Sequence, residues 1–89
     1  MKIKVTQRHI DEGRPYAAAA CALALAVQEA VPMATALTVG TGSGGFSFEG
    51  RYNRFALPSE AQNFLSTFEQ DKTKAKPFSF EIEPKEERY

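Results

Sequence analysis

Hydrophobic and polar positions change rhythm several times along the chain, and each change predicts an element. Ile3 and Val5 alternate with Lys2, Lys4 and Thr6, a period of two that predicts a strand over 2–6 with one buried face. Thr6 can act as an N-cap, and Gln7 to Glu12 ending at Gly13 predicts one or two helical turns closed by a glycine able to take positive φ. Tyr16 to Val27 is an uninterrupted apolar run, rich in alanine and free of Gly and Pro. It predicts a helix from Tyr16 or Ala17 to Ala30, closed ahead of Pro32. Nearly all sides of that helix are apolar, so burial is expected on more than one side.

Alternation then returns. Leu37 and Val39 share one face of a strand over 36–41, the cluster Gly42-Ser43-Gly44-Gly45 reverses the chain, and Phe46 and Phe48 share a face of the next strand. The apolar phase moves from even positions (Phe46, Phe48, Tyr52) to odd ones (Phe55, Leu57), so Gly50 marks a turn or a bulge within a three-strand meander. Ser59-Glu60-Ala61-Gln62 has the pattern of a capping box. Ala61, Phe64, Leu65 and Phe68 follow the i, i+3, i+4, i+7 spacing of an amphipathic helix running to about Asp71. Lys72 to Lys76 form a basic linker, and Phe78, Phe80 and Ile82 alternate with Ser79, Glu81 and Glu83 as a closing strand. The order β-α-β-β-β-α-β defines an α+β fold, a small mixed or antiparallel sheet of about five strands with two helices packed on it. Residues 1–83 make a single α+β domain, and 84–89 a charged flexible C-terminal tail.

Composition narrows the functional classes. A chain of 89 residues forms one domain and buries only about 60% of the surface its unfolded form exposes, which argues against a large catalytic cleft. Eleven basic residues balance eleven acidic ones, so the strong positive field of a nucleic-acid binder is missing. The balance is uneven: residues 1–14 carry +2, residues 15–48 only Glu29, and the remainder −1. The low-charge stretch is too short in its apolar run to span a bilayer, which takes roughly 20 residues. Asp11 and Glu12 ahead of it do not suit a signal peptide. No membrane association is expected, and the cytoplasm is the expected compartment. One His and one Cys cannot make the usual zinc site, and neither a metal nor a cofactor is expected.

Several residues nevertheless carry candidate chemistry. Gly40-Thr41-Gly42-Ser43-Gly44-Gly45 fits G-x-G-x-x-G, but strand character resumes at Phe46 where a dinucleotide fingerprint must open a helix. What remains is a turn whose N–H groups could hold an anion. With the strand residues Arg51, Tyr52 and Arg54, the loop residues Gly42, Ser43 and Gly44 make a candidate ligand site in which cations face phosphate and an aromatic ring stacks on a base. Lys72, Lys74 and Lys76 could extend that patch. His9 near Asp11 and Glu12 is the minimum for acid–base work, although no nucleophile is placed beside it. Cys21 reads as a small buried apolar group. Ala18, Cys21, Ala22 and Leu25 are candidates for self-association, because alanine lets the same helix of a second copy approach closely.

The chain resembles a group of small uncharacterised proteins of phage and prophage genomes. The residues that carry the resemblance are Thr6-x-x-His9-Ile10-x-x-Gly13, Ala22-Leu23-Ala24-Leu25, Leu57-Pro58 and Pro77-Phe78-Ser79-Phe80. Such sequences place cysteines ahead of the Ala-Leu-Ala-Leu stretch, where this chain has Ala17 to Ala20, so no metal or redox role carries over. The resemblance implies a phage accessory protein, a class rich in non-enzymatic inhibitors of host defence proteins and in sponges for nucleotide signals. The expected function is therefore stoichiometric inhibition of a host factor by a homo-oligomeric binding protein rather than an enzyme. The alternatives are a nucleotide second-messenger sponge with a pocket near Gly40 to Gly45, and a small His9-dependent enzyme.

Overall fold

The structure is a computed structural model that describes residues 1–87. Strand β1 (Lys2–Val5) buries Ile3 and Val5 and leaves Lys2 and Lys4 in solvent, as the alternation requires. It pairs antiparallel with β5 (Phe78–Glu81), with Ile3 opposite Phe80. Between them in sequence lies a second antiparallel sheet in the order β2-β3-β4-β6, built from β2 (Thr35–Val39), β3 (Ser43–Phe48), β4 (Arg51–Ala56) and, beyond β5, β6 (Lys85–Glu86). Three helices, α1 (Gln7–Glu12), α2 (Ala22–Ala30) and α3 (Ser59–Gln70), complete an α+β fold. The strands thus divide between two sheets rather than joining in one.

Helix α1 stops at Gly13, but for a different reason from the expected one. Gly13 has φ −69°, and a Cβ there would lie 2.7 Å from both the Ala22 nitrogen and the His9 carbonyl oxygen. Glycine is needed for the close approach of α1 to the start of α2, not for a left-handed turn.

Helix α2 begins at Ala22, five or six residues later than alanine propensity predicts. Tyr16 sits at φ +63°, and the segment after it folds into turns. The carbonyl oxygen of Ala18, which a longer helix would offer to the Ala22 N–H, instead accepts from Val39 N–H at 2.8 Å. Arg14 N–H likewise donates to the Ala20 carbonyl. Tertiary hydrogen bonds to the end of β2 therefore override a weak local preference. Helix α2 ends before Pro32 as expected, and Gln28 turns its amide back onto the carbonyls of Val31 and Ala34.

The glycine cluster is mostly strand. Ser43, Gly44 and Gly45 pair with Ala56, Phe55 and Arg54, and the reversal is made by the preceding Gly40-Thr41-Gly42, with Gly40 N–H bonded to the Ser43 carbonyl. The glycines serve the rings of β4. A Cβ on Gly44 would lie 2.6 Å from the Phe55 ring, and one on Gly45 would run into the Tyr52 ring and hydroxyl. Phe55 lies across Gly44 on the core face, and Tyr52 across Gly45 on the opposite face, because the register puts consecutive residues on alternate sides. Glu49 (φ +52°) and Gly50 (φ +76°) form the two-residue turn with both residues left-handed that suits a tight hairpin. That turn pairs even positions of β3 with odd positions of β4, which accounts for the shift in apolar phase. Phe46 and Phe55 pack with ring centroids 6.2 Å apart.

Helix α3 buries Ala61, Phe64, Leu65 and Phe68, the four predicted positions. Its N-cap is Pro58, not Ser59, and the expected capping box does not form; Gln62 sends its amide to the Leu57 carbonyl at 2.8 Å instead. Phe64 stacks on Phe78 at 4.7 Å and Phe78 on Phe80 at 5.4 Å, which joins α3 to the small sheet. Asp71 caps a 3₁₀ turn over Lys72–Lys74, and the two hydrogen bonds from Thr73 hold its carboxyl below the usual range. The flexible tail expected over residues 84–89 is in part a strand, since Lys85 and Glu86 pair with Arg54 and Asn53 as β6. Arg88 and Tyr89 lie outside the described residues. Among the described residues, no helix is long and apolar enough to cross a membrane.

Candidate binding groove

Strand β4 is covered by β3 along its whole length on one side, but by β6 along only part of it on the other. The cause is a division of labour in the last segment. Ile82 remains tied to the small sheet through its N–H to the Met1 carbonyl at 2.9 Å, whereas Glu87 N–H already bonds the Tyr52 carbonyl at 2.8 Å. Between these two anchorages the chain crosses from one sheet to the other and stands away from Ala56 and Leu57. The result is a groove of about 630 Å³ between the end of β4 and residues 81–87, with Ser43 on its rim. Phe55, Leu57, Pro58 and Ile82 supply its apolar lining.

The rim is charged. Glu81, Glu83, Glu86 and Glu87 face it together with Arg54 and Lys85. Arg54 meets the Glu87 carboxylate at 3.5 Å, and Glu86 faces Arg51 at 3.2 Å. Glu81 lies 3.5 Å from the Met1 amino group. These are exposed pairs, weakly held and screened by salt.

Of the six residues expected to bind a ligand, the fold brings only Ser43 and Arg54 into this groove. Gly44 lies beneath Phe55, and Tyr52 is laid over Gly45. Arg51 stands at the turn end of β4, on the other sheet face from Arg54, paired with Glu86. Gly42 lies in the exposed reversal, where its carbonyl accepts from Leu57 N–H. Among the described residues Gly50 is the only glycine with positive φ, so Gly40 to Gly45 does not form the alternating right- and left-handed nest that would hold an anion. Lys72 does not extend a basic patch either. Its Nζ donates to the carbonyls of Asp11 (2.6 Å) and Gly13 (2.8 Å), closing the end of α1. Lys74 and Lys76 border a separate hollow with Phe64 and Phe78.

The self-association candidates divide in the same manner. Cys21 and Ala22 are buried in the core of their own chain, Leu25 is half-buried and Ala18 is exposed. Within one copy α2 buries Ala22, Leu23, Ala24, Ala26 and Val27, and leaves Leu25 half-buried. Burial raises the Cys21 thiol pKa, and its sulfur accepts from Ala24 N–H as the N-cap of α2.

Among the described residues His9 is the one buried polar side chain, at 3% exposure. Its carboxylate partner is Glu29, twenty residues on, and neither Asp11 nor Glu12; those pair with Gln7 and Arg8. The Thr6 N–H donates to Nδ1 at 2.9 Å, which leaves the ring proton on Nε2, where it is given to Glu29 at 2.5 Å. The imidazole thus takes the place of the Glu or Gln side chain in a capping box. The bond from His9, with the Arg8 guanidinium at 2.6 Å, holds the Glu29 carboxyl below its ordinary range. Both ring nitrogens are occupied and the ring is out of solvent.

Among the described residues no three His, Cys, Asp or Glu side chains converge as metal ligands. Sequence reasoning places no groove residue other than Ser43 and Arg54 in a ligand site, and misses Ala56 and Leu57 at the end of β4 as well as Ile82, Glu83, Lys85 and Glu87. The alternation through Phe78, Phe80 and Ile82 marks Ile82 as buried, but no local signal shows that the charged residues after it return to β4. No protein-family model, curated protein or solved structure matches this chain.

Proposed function

We propose that the protein is a stoichiometric binding protein that engages a partner through the groove between β4 and residues 81–87. The setting is the one its sequence resemblance implies, a phage accessory protein that occupies a host defence factor in the bacterial cytoplasm. The observation that carries this reading is the groove itself: an apolar trough opened by a departing strand, lined without a nucleophile and base in hydrogen-bond reach of each other. A catalytic role for His9 finds less support, since both ring nitrogens already serve the fold.

The nucleotide-sponge reading has Ser43 and Arg54 in its favour. Against it stand the four glutamates of the same rim, which repel phosphate, and Glu87 already beside Arg54. The experiment is capture on immobilised protein from host cells, followed by calorimetric titration of whatever partner is recovered. A saturable complex of fixed ratio is expected. Failure to recover any saturable partner overturns the reading. So does a nucleotide that, at a hundred times its dissociation constant, raises stability by about 2.7 kcal/mol.

A further inference from the structure

We infer that the groove receives an extended peptide segment of a partner protein, one that presents an apolar side chain to the lining and a lysine or arginine to the rim. This rests on the stoichiometric-binding reading above and adds the chemistry of its partner. The first ground is an open strand edge. Leu57 N–H bonds to Gly42 on the β3 side, so alternate residues Tyr52, Arg54 and Ala56 turn their peptide groups to the opposite side. There Tyr52 meets Glu87 and Arg54 meets Lys85, but the ladder ends at Lys85 and leaves the Ala56 N–H and C=O facing the groove. An added strand is the natural partner for such an edge, because its backbone supplies both the missing donor and the missing acceptor.

The second ground is what lies beside that edge. Phe55, Leu57 and Ile82, each at most 3% exposed, form a rigid apolar base against which one side chain of an extended segment can be desolvated. The third is charge. Carboxylates on the rim outnumber cations, four against Arg54 and Lys85, and Glu83 has no cation within salt-bridge distance among the described residues. The neighbouring pairs are exposed and exchange partners easily, so an incoming guanidinium or ammonium is accommodated while a carboxylate or phosphate is repelled.

The test is selection of a random short-peptide library on the immobilised full chain, followed by affinity measurements on the selected peptides. Enriched peptides should combine Lys or Arg with an aliphatic or aromatic residue. Binding should shift the backbone amide resonances of Ala56, Ile82 and Glu83. Glu83→Lys combined with Glu87→Lys should weaken binding at least roughly tenfold, and Ala56→Trp, which fills the trough, should do the same, whereas Lys74→Glu in the other hollow should not. Thermal melts establish that each variant is folded, and the exposed Glu83 with the half-buried Glu87 suffices if Ala56→Trp is not. Enrichment of acidic peptides, no enrichment, or binding indifferent to these variants overturns the inference. A host partner that binds in fixed ratio but ignores the groove variants overturns it while leaving the binding-protein reading intact.

Discussion

The corner where α1 meets α2 and the groove beside β4 both gather charged side chains, yet they are opposite in kind. At the corner every group has an internal purpose: His9 caps α1 with one nitrogen and holds Glu29 with the other, Arg8 shares that carboxylate, and Lys72 closes the helix end. At the groove the backbone edge of Ala56 lies open, and the ion pairs are loose and exposed. The buried histidine and its carboxylate partner are thus both engaged within the fold. The proposed function looks instead to the place where a strand is left without its neighbour.

If that contrast is right, substitutions at the corner act on folding and those at the groove act on binding. The largest effect is expected for His9→Ala, which opens a cavity and leaves the Thr6 N–H without its acceptor. Chemical denaturation should show a loss of about 2–4 kcal/mol, while His9→Gln, able to form the ordinary capping box, recovers part of it. A loss under about 0.5 kcal/mol, the range of an ordinary surface change, would show that the corner is not structural.

Next comes Gly45→Ala on the sheet face that carries Arg54. Its Cβ displaces the Tyr52 ring and lies 2.9 Å from the Asn53 carbonyl oxygen, so a loss of about 1–3 kcal/mol is expected in the same measurement. A smaller effect belongs to Glu29. Its carboxyl pKa is lowered in the folded state, so its contribution is present above the ordinary value of 4.5 and disappears as pH falls below it. Melts from pH 6 to pH 3 should fall less steeply for Glu29→Gln than for the parent chain; parallel curves would remove Glu29 from acid stability. The smallest effect on stability, within about 0.5 kcal/mol, is expected for Glu83→Lys, the substitution that reverses charge at the groove. A large loss there would make Glu83 part of the fold and blur the comparison.

Much of the fold is legible in local pattern. Ile3 and Val5, Leu37 and Val39, and the four apolar positions of α3 declare their faces through periodicity, since burial of one face imposes the period. The errors fall where distant groups compete. Alanine at 17–20 favours helix by only fractions of a kcal/mol per residue, and the hydrogen bonds from Val39 to Ala18 and from Arg14 to Ala20 compete with it. Gly44 and Gly45 look like a turn because glycine is common there, but they are strand residues made small for Phe55 and Tyr52. The candidate site is the least legible part. Ser43 and Arg54 stand out in the sequence, but they share the groove with Ile82, Glu83 and Glu87, whose local pattern is that of a strand end and a solvated tail.

By itself the sequence determined the α+β class, the order of elements as far as β5, the positions that face the core and the burial of Cys21, because hydrophobic period and helix and turn chemistry act over a few residues. Only the tertiary structure decided that the strands part into two sheets, that His9 answers to Glu29, and that residues 85–86 return to the edge of β4. Those outcomes depend on which distant backbone groups remain unpaired once the core has closed, and no local pattern records that.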